Sequence, residues 1–225
     1  MRPVIQKSEV FTLRKWAQFT VASFVLSLMM MANGQAEQIK LLALGDSLTA
    51  GYGLGPGDGL TEVLQNKINQ DLSGRTVQII NAGVSGDTTR GGLARLDWAL
   101  ADDPDIVMVA LGGNDMLRGL APSESYENLK AILQILEQAK KPVLLAGMLA
   151  PANMGQDYQR EFDQLYPRLA EEFEVIFYPF FLDGVALQAD LNQPDGLHPN
   201  RAGVEIMATK LVPYIRQLVE KGANE

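Results

Sequence analysis

Five short apolar runs recur along the chain, at residues 39–44, 77–82, 106–111, 142–148 and 175–178. Stretches with apolar positions at helical spacing separate them. Continuous apolar runs of about four to eight residues fit strands buried on both faces. After the first run, Leu60, Val63, Leu64, Ile68 and Leu72 mark a helix over 60–72 that ends at Ser73-Gly74. A second helix is expected over 89–100, stopped by Asp102-Asp103-Pro104. A third opens at Pro122-Ser123, with Ser123 as its N-cap and Leu129, Ile132, Leu133, Ile135 and Leu136 on its buried face. Helices over 158–173 and 201–219 complete the alternation, and 180–191 reads as a turn or two of helix.

Strand and helix alternate five times, with connections of helix length. This predicts an α/β protein: a three-layer α/β/α sandwich on a five-stranded parallel sheet, in the flavodoxin-like order 2-1-3-4-5. Strands one and three are then neighbours at the switch point, where ligands bind outside the carboxyl ends of the strands. Small and polar residues collect at those ends: Gly45-Asp46-Ser47-Leu48, Gly83-Val84-Ser85-Gly86-Asp87 and Gly112-Gly113-Asn114-Asp115.

Composition narrows the chemistry. The 225 residues contain no cysteine and one histidine, which removes disulfides and thiolates and leaves zinc without its usual ligands. No carboxylates are spaced for a hard cation, so no metal and no cofactor is expected. Gly51, Gly53, Gly55 and Gly57 do not form a dinucleotide fingerprint, because Pro56 or Asp58 occupies the third glycine position, and no Gly-Lys-Ser/Thr occurs.

The N-terminus carries a basic leader, Arg2, Lys7, Arg14 and Lys15, then an uncharged, mostly apolar run over 16–32 and small residues at Gly34 and Ala36. These are the parts of a secretory signal peptide over 1–36, with cleavage expected after Ala36 and one domain over 37–225. An uncleaved anchor competes with this, but Gln18, Thr20, Ser23 and Ser27 interrupt the run, which is short against the roughly 20 residues of a span. Taking four basic and one acidic residue from totals of 19 and 27 leaves 15 against 26, a charge of −11. Such a chain disfavours nucleic acid and anionic membrane surfaces as partners.

A serine becomes a nucleophile beside a base that is itself oriented by a third group. Ser47 follows the first strand. His198, the sole histidine, lies three residues after Asp195 on one loop. Asp183 is the rival acid, fifteen residues from His198. Donors for an oxyanion are available from the Ser47 N–H, the Gly86 N–H and the Asn114 side chain. Asp46, Asp87 and Asp115 read as hydrogen-bonding groups or caps, and Arg118 as part of a solvated face.

Gly45-Asp46-Ser47-Leu48, Gly86 within Asn81-x-x-x-Ser85-Gly86-Asp87, Gly112-x-Asn114-Asp115 and Asp195-x-x-His198-Pro199 resemble, in order, the four sequence blocks of the SGNH, or GDSL, hydrolases. Gly92-Leu93-Ala94-Arg95-Leu96, Leu117-Arg118-Gly119 and Pro151-Ala152-Asn153 make the chain most similar to the exported bacterial thioesterases of that family, also described as lysophospholipases and arylesterases. The resemblance implies a flavodoxin-like sheet, Ser47 as nucleophile, His198 as base and then acid, Asp195 as its orienter, and an oxyanion hole from Ser47, Gly86 and Asn114. It implies cleavage of small acyl esters or thioesters, with lysophospholipid among the candidate substrates. A carbohydrate O-acetylesterase of the same family is the alternative, and a binding-only protein would be expected to have lost one of these groups. Met116, Leu117, Leu120, Met148, Leu149 and Met154 are expected to line an acyl groove, bordered by loops 116–121 and 152–157 that move on binding. A monomer is expected, periplasmic if the source is Gram-negative and otherwise secreted, with no stable membrane anchor once the signal is cleaved.

Overall fold

The structure, a computed structural model, describes residues 37–223, so the leader and the expected cleavage site lie outside the described residues. The apolar runs become β1 (Glu37–Gly45), β2 (Arg75–Gly83), β3 (Ile106–Ala110), β4 (Val143–Ala146) and β5 (Ile176–Tyr178). They form one sheet in the order β2-β1-β3-β4-β5, as the alternation predicts. The β1–β3, β3–β4 and β4–β5 pairs are parallel, with Gly45 level with Ala110 at the carboxyl end. Leu41–Leu44 and Ile106–Val109 have no exposed surface, the signature of strands covered on both faces.

The helices are α1 (Ser47–Ala50), α2 (Leu60–Asp71), α3 (Thr89–Ala94), α4 (Leu96–Ala99), α5 (Gly113–Leu117), α6 (Pro122–Gln138), α7 (Gln156–Glu172) and α8 (Arg201–Gly222). Helix α2 packs with α8, while α3, α6 and α7 pack together, giving two helical layers. No described helix is long and apolar enough to cross a membrane.

Three local expectations are corrected. The helix over 89–100 is broken at Arg95, whose backbone (φ −110°, ψ 7°) ends α3 and starts α4, and a short 3₁₀ turn follows at Leu100–Asp102. Gly91 and Gly92 lower the helical preference just before that break. Ser123 is not the cap of α6: Pro122 takes the first helical positions, so the cap falls on Ala121. Residues 180–191 form turns rather than helix. Gly184 and Leu187 adopt positive φ, and the Asn192 side chain donates to the Val185 and Gln188 carbonyls that a helix would have used.

Candidate active site

β1 ends at Gly45, and α1 begins two residues later with Asp46 as its N-cap; the Asp46 carboxylate accepts the Leu48 N–H at 3.0 Å. A β-carbon on Gly45 would lie 2.0 Å from Thr49 Oγ1, so only glycine lets α1 sit directly on the strand end. Ser47 is the first residue of α1, where a backbone N–H has no partner within its helix.

The loop after β2 turns at Val84–Asp87, closed by the Asp87 N–H donating to the Val84 carbonyl at 3.0 Å. Gly86 holds φ +82° there, the conformation a type II turn requires at its third position, so its own N–H is not the one that closes the turn. Arg118 is exposed, as a solvated residue would be, but its Nη2 also donates to the Gly86 carbonyl at 2.6 Å. After β3, α5 presents Asn114, whose Nδ2 donates to Asp46 Oδ2 at 3.1 Å. Asp46 is only 4 % exposed, and that burial pushes its carboxyl up to about 6; the bonds from Leu48 and Asn114 pull the other way.

From the opposite side comes the loop before α8. His198 Nε2 lies 2.9 Å from Ser47 Oγ, and its Nδ1 lies 2.7 Å from Asp195 Oδ2. Asp195 Oδ1 accepts the Leu197 and His198 backbone N–H groups at 2.9 and 3.0 Å. Those bonds, the His198 N–H first, hold its carboxyl down at about 2. Asp183 is engaged elsewhere, with Lys210. The Tyr52 ring lies against the imidazole, centroids 4.6 Å apart.

A cavity of about 230 Å³ opens beside Ser47. Met116, Leu117 and Met148 line it as expected, but Leu120, Leu149 and Met154 do not; Leu48, Tyr52, Leu182 and Leu197 take their place. Ser47, Gly86, Asn114 and His198 share this one cavity. The Leu120 segment is held by its carbonyl, which accepts the Tyr158 hydroxyl from α7 at 2.9 Å. Leu197 could have been noticed as the neighbour of His198, whereas nothing in its sequence setting marks Leu182. Asp87 pairs with Arg95, and the buried Asp115 accepts from Thr89 and Ser125, so both serve as hydrogen-bond acceptors. Among the described residues no cluster of three or more His, Cys, Asp or Glu is placed to hold a metal.

Residues 43–206 match the GDSL-like Lipase/Acylhydrolase family. The chain belongs to that family. It is a hydrolase of carboxylic esters and thioesters. A thioesterase, protease and lysophospholipase of Escherichia coli is 38% identical over 195 residues, which cover 86% of this chain and 91% of the relative. Esterase TesA of Pseudomonas aeruginosa is 36% identical, with 86% and 96% covered. Among solved structures, the SGNH-hydrolase family esterase AlinE4 is 46% identical with a TM-score of 0.69, covering 81% of this chain and 97% of that one. The esterase EstA of Pseudoalteromonas, inhibited by monoethylphosphonate, is 31% identical with a TM-score of 0.75, covering 80% and 98%.

Proposed function

We propose that Ser47, His198 and Asp195 are the catalytic triad of this hydrolase, and that the Ser47 and Gly86 N–H groups with the Asn114 amide form its oxyanion hole. The 2.9 Å approach of His198 Nε2 to Ser47 Oγ, with the far side of the ring on Asp195, carries the assignment. His198 takes the hydroxyl proton as Ser47 Oγ attacks the acyl carbon, and gives it to the departing alcohol or thiol. A water, deprotonated by the same imidazole, then releases the acid and frees the serine. Asp195 keeps the Nδ1 proton in place and stabilises the imidazolium as it forms.

The apolar side chains around the cavity suit an acyl chain better than a sugar. Aryl esters, acyl-CoA-type thioesters and lysophospholipids are the substrates proposed, in keeping with the names of the curated relatives. Residues 1–36 are proposed to be an export signal and 37–225 the mature domain, a monomer without membrane anchor that works outside the cytoplasm. The test is a panel of p-nitrophenyl esters, an acyl-CoA and a lysophospholipid with wild type and Ser47→Ala. Loss of all turnover in a folded variant is expected; wild-type rates from Ser47→Ala would overturn the assignment.

A further inference from the structure

Arg95 lies in the Gly-Leu-Ala-Arg-Leu segment and does not line the cavity beside Ser47. Its guanidinium makes three hydrogen bonds, each to a different point at the carboxyl edge of the sheet. Nη2 donates to the Gly45 carbonyl at 2.8 Å, Nη1 to the Ala82 carbonyl at 2.8 Å, and Nε to Asp87 Oδ2 at 2.6 Å. The two side chains of the ion pair are 17 % and 14 % exposed, so water competes little with these bonds.

The sequence positions of the partners give the arrangement its meaning. Gly45 is two residues before Ser47, and Asp87 directly follows Gly86. The Gly45 carbonyl also accepts the Val84 N–H at 3.1 Å, so it joins the end of β1 to the Gly86 turn. A second observation agrees: a β-carbon on Gly91 would lie 1.7 Å from Asp87 Oδ1, so glycine there makes room for the carboxylate to reach Arg95. A lysine has one point of attachment and no fork to span three acceptors.

We propose that Arg95 is a positioning residue of the oxyanion hole, fixing the Ser47 and Gly86 backbone N–H groups relative to each other by holding Gly45, Ala82 and Asp87 at once. The inference rests on the proposed roles of those two N–H groups. Two donors aimed at one oxygen lose their effect when their spacing drifts, and a misplacement of about 1 Å can lower a rate about 100-fold.

The experiment compares the full-length mature chain with Arg95→Lys and Asp87→Asn. It measures kcat and KM on a p-nitrophenyl ester, Ki for phenylboronic acid and the unfolding midpoint. Phenylboronic acid forms a tetrahedral adduct with an active serine, so its Ki reads the hole without turnover. For Arg95→Lys, kcat should fall about 10- to 100-fold with KM within about twofold. The Ki should rise by the factor that kcat/KM falls, in a protein still folded at the assay temperature. Asp87→Asn keeps the two carbonyl bonds and should show the same paired change at a smaller size, about 3- to 10-fold. A folded Arg95→Lys with wild-type kcat, or a lower kcat with unchanged Ki, overturns the proposal. If Arg95→Lys does not fold, Asp87→Asn decides by the same two readouts, wild-type values of both overturning it. Ser47→Ala run alongside separates the cases: full turnover by that variant would refute the site itself rather than the role of Arg95.

Discussion

Asn114 and Asp46 are joined by a hydrogen bond from Nδ2 to Oδ2 of 3.1 Å, so one N–H of the amide is committed and the other is aimed by it. The carboxylate has a second fixed point, the Leu48 N–H on its other oxygen at 3.0 Å. An ionised carboxylate can only accept, and this forces Asn114 to present its NH₂ rather than its carbonyl.

Asp46→Asn should therefore be more damaging than its size suggests. The new amide keeps an oxygen for Leu48 and turns its own NH₂ toward Asn114, donor against donor. Asn114 must flip or swing away, and kcat should drop toward the loss of Asn114→Ala, on the order of 10²–10³ for one oxyanion donor. Steady-state kinetics on a short p-nitrophenyl ester check this. Asp46→Asn with wild-type kcat would show that Asn114 is held by something else.

The same carboxyl makes stability depend on pH in a defined direction. Burial raises Asp46 from the usual 3.8 to about 6 in the folded protein. Its stabilising contribution is complete below the unfolded value, where the group is neutral in both states, and is lost as pH rises through about 6. A shift of this size corresponds to roughly 3 kcal/mol. In urea unfolding, wild type should lose stability relative to Asp46→Asn between about pH 4 and about pH 7. A difference that stays constant over this range would contradict the buried-carboxylate account. The donor-against-donor contact with Asn114 adds a cost to the variant that does not change with pH, so the pH dependence of the difference, and not its absolute sign, reports the buried carboxylate.

Asp195, held down at about 2, stays ionised under any ordinary assay condition, so the acid side of the pH–rate profile should not report it. Its contribution to stability has the opposite sense to that of Asp46: it is present above the unfolded value and lost only as pH falls through about 2. Asp195→Asn should lower kcat by about 10⁴ by favouring the wrong imidazole tautomer. Asp183→Asn, which breaks only the pair with Lys210, should leave kcat within about twofold, since exposed pairs contribute little. The reverse ranking in kcat would mean that Asp183 is the orienting acid.

Acyl-chain preference should follow the cavity lining. Leu182→Ala and Leu197→Ala remove side chains that face the cavity and should move the chain-length optimum for p-nitrophenyl esters, acetate to decanoate. Leu120→Ala and Met154→Ala do not touch that lining and should leave the profile in place. Preference for acetate alone in wild type would instead favour the O-acetylesterase reading.

The proposed site residues stand out in the sequence because Ser47, Gly86 and Asn114 each sit in a short local pattern just after a strand and Asp195 and His198 share one loop, and the structure brings these segments together around one cavity. The sheet order followed from the same alternation. The helix ends and turns were less legible. Pro122 displaced the cap from Ser123, and Asn192 captured carbonyls that would have closed a helix over 180–191.

The sequence by itself determined the strand–helix alternation, the chemical groups at the strand ends and the pairing of Asp195 with His198, because these depend on periodicity and on contacts between near neighbours. The tertiary structure decided which apolar residues line the cavity beside Ser47, placing Leu182 and Leu197 there and leaving Leu120 and Met154 out of it. It also decided that Arg95 binds Gly45, fifty residues away. Such contacts depend on how side chains of distant segments pack against each other, and the spacing of residues along the chain carries no record of that.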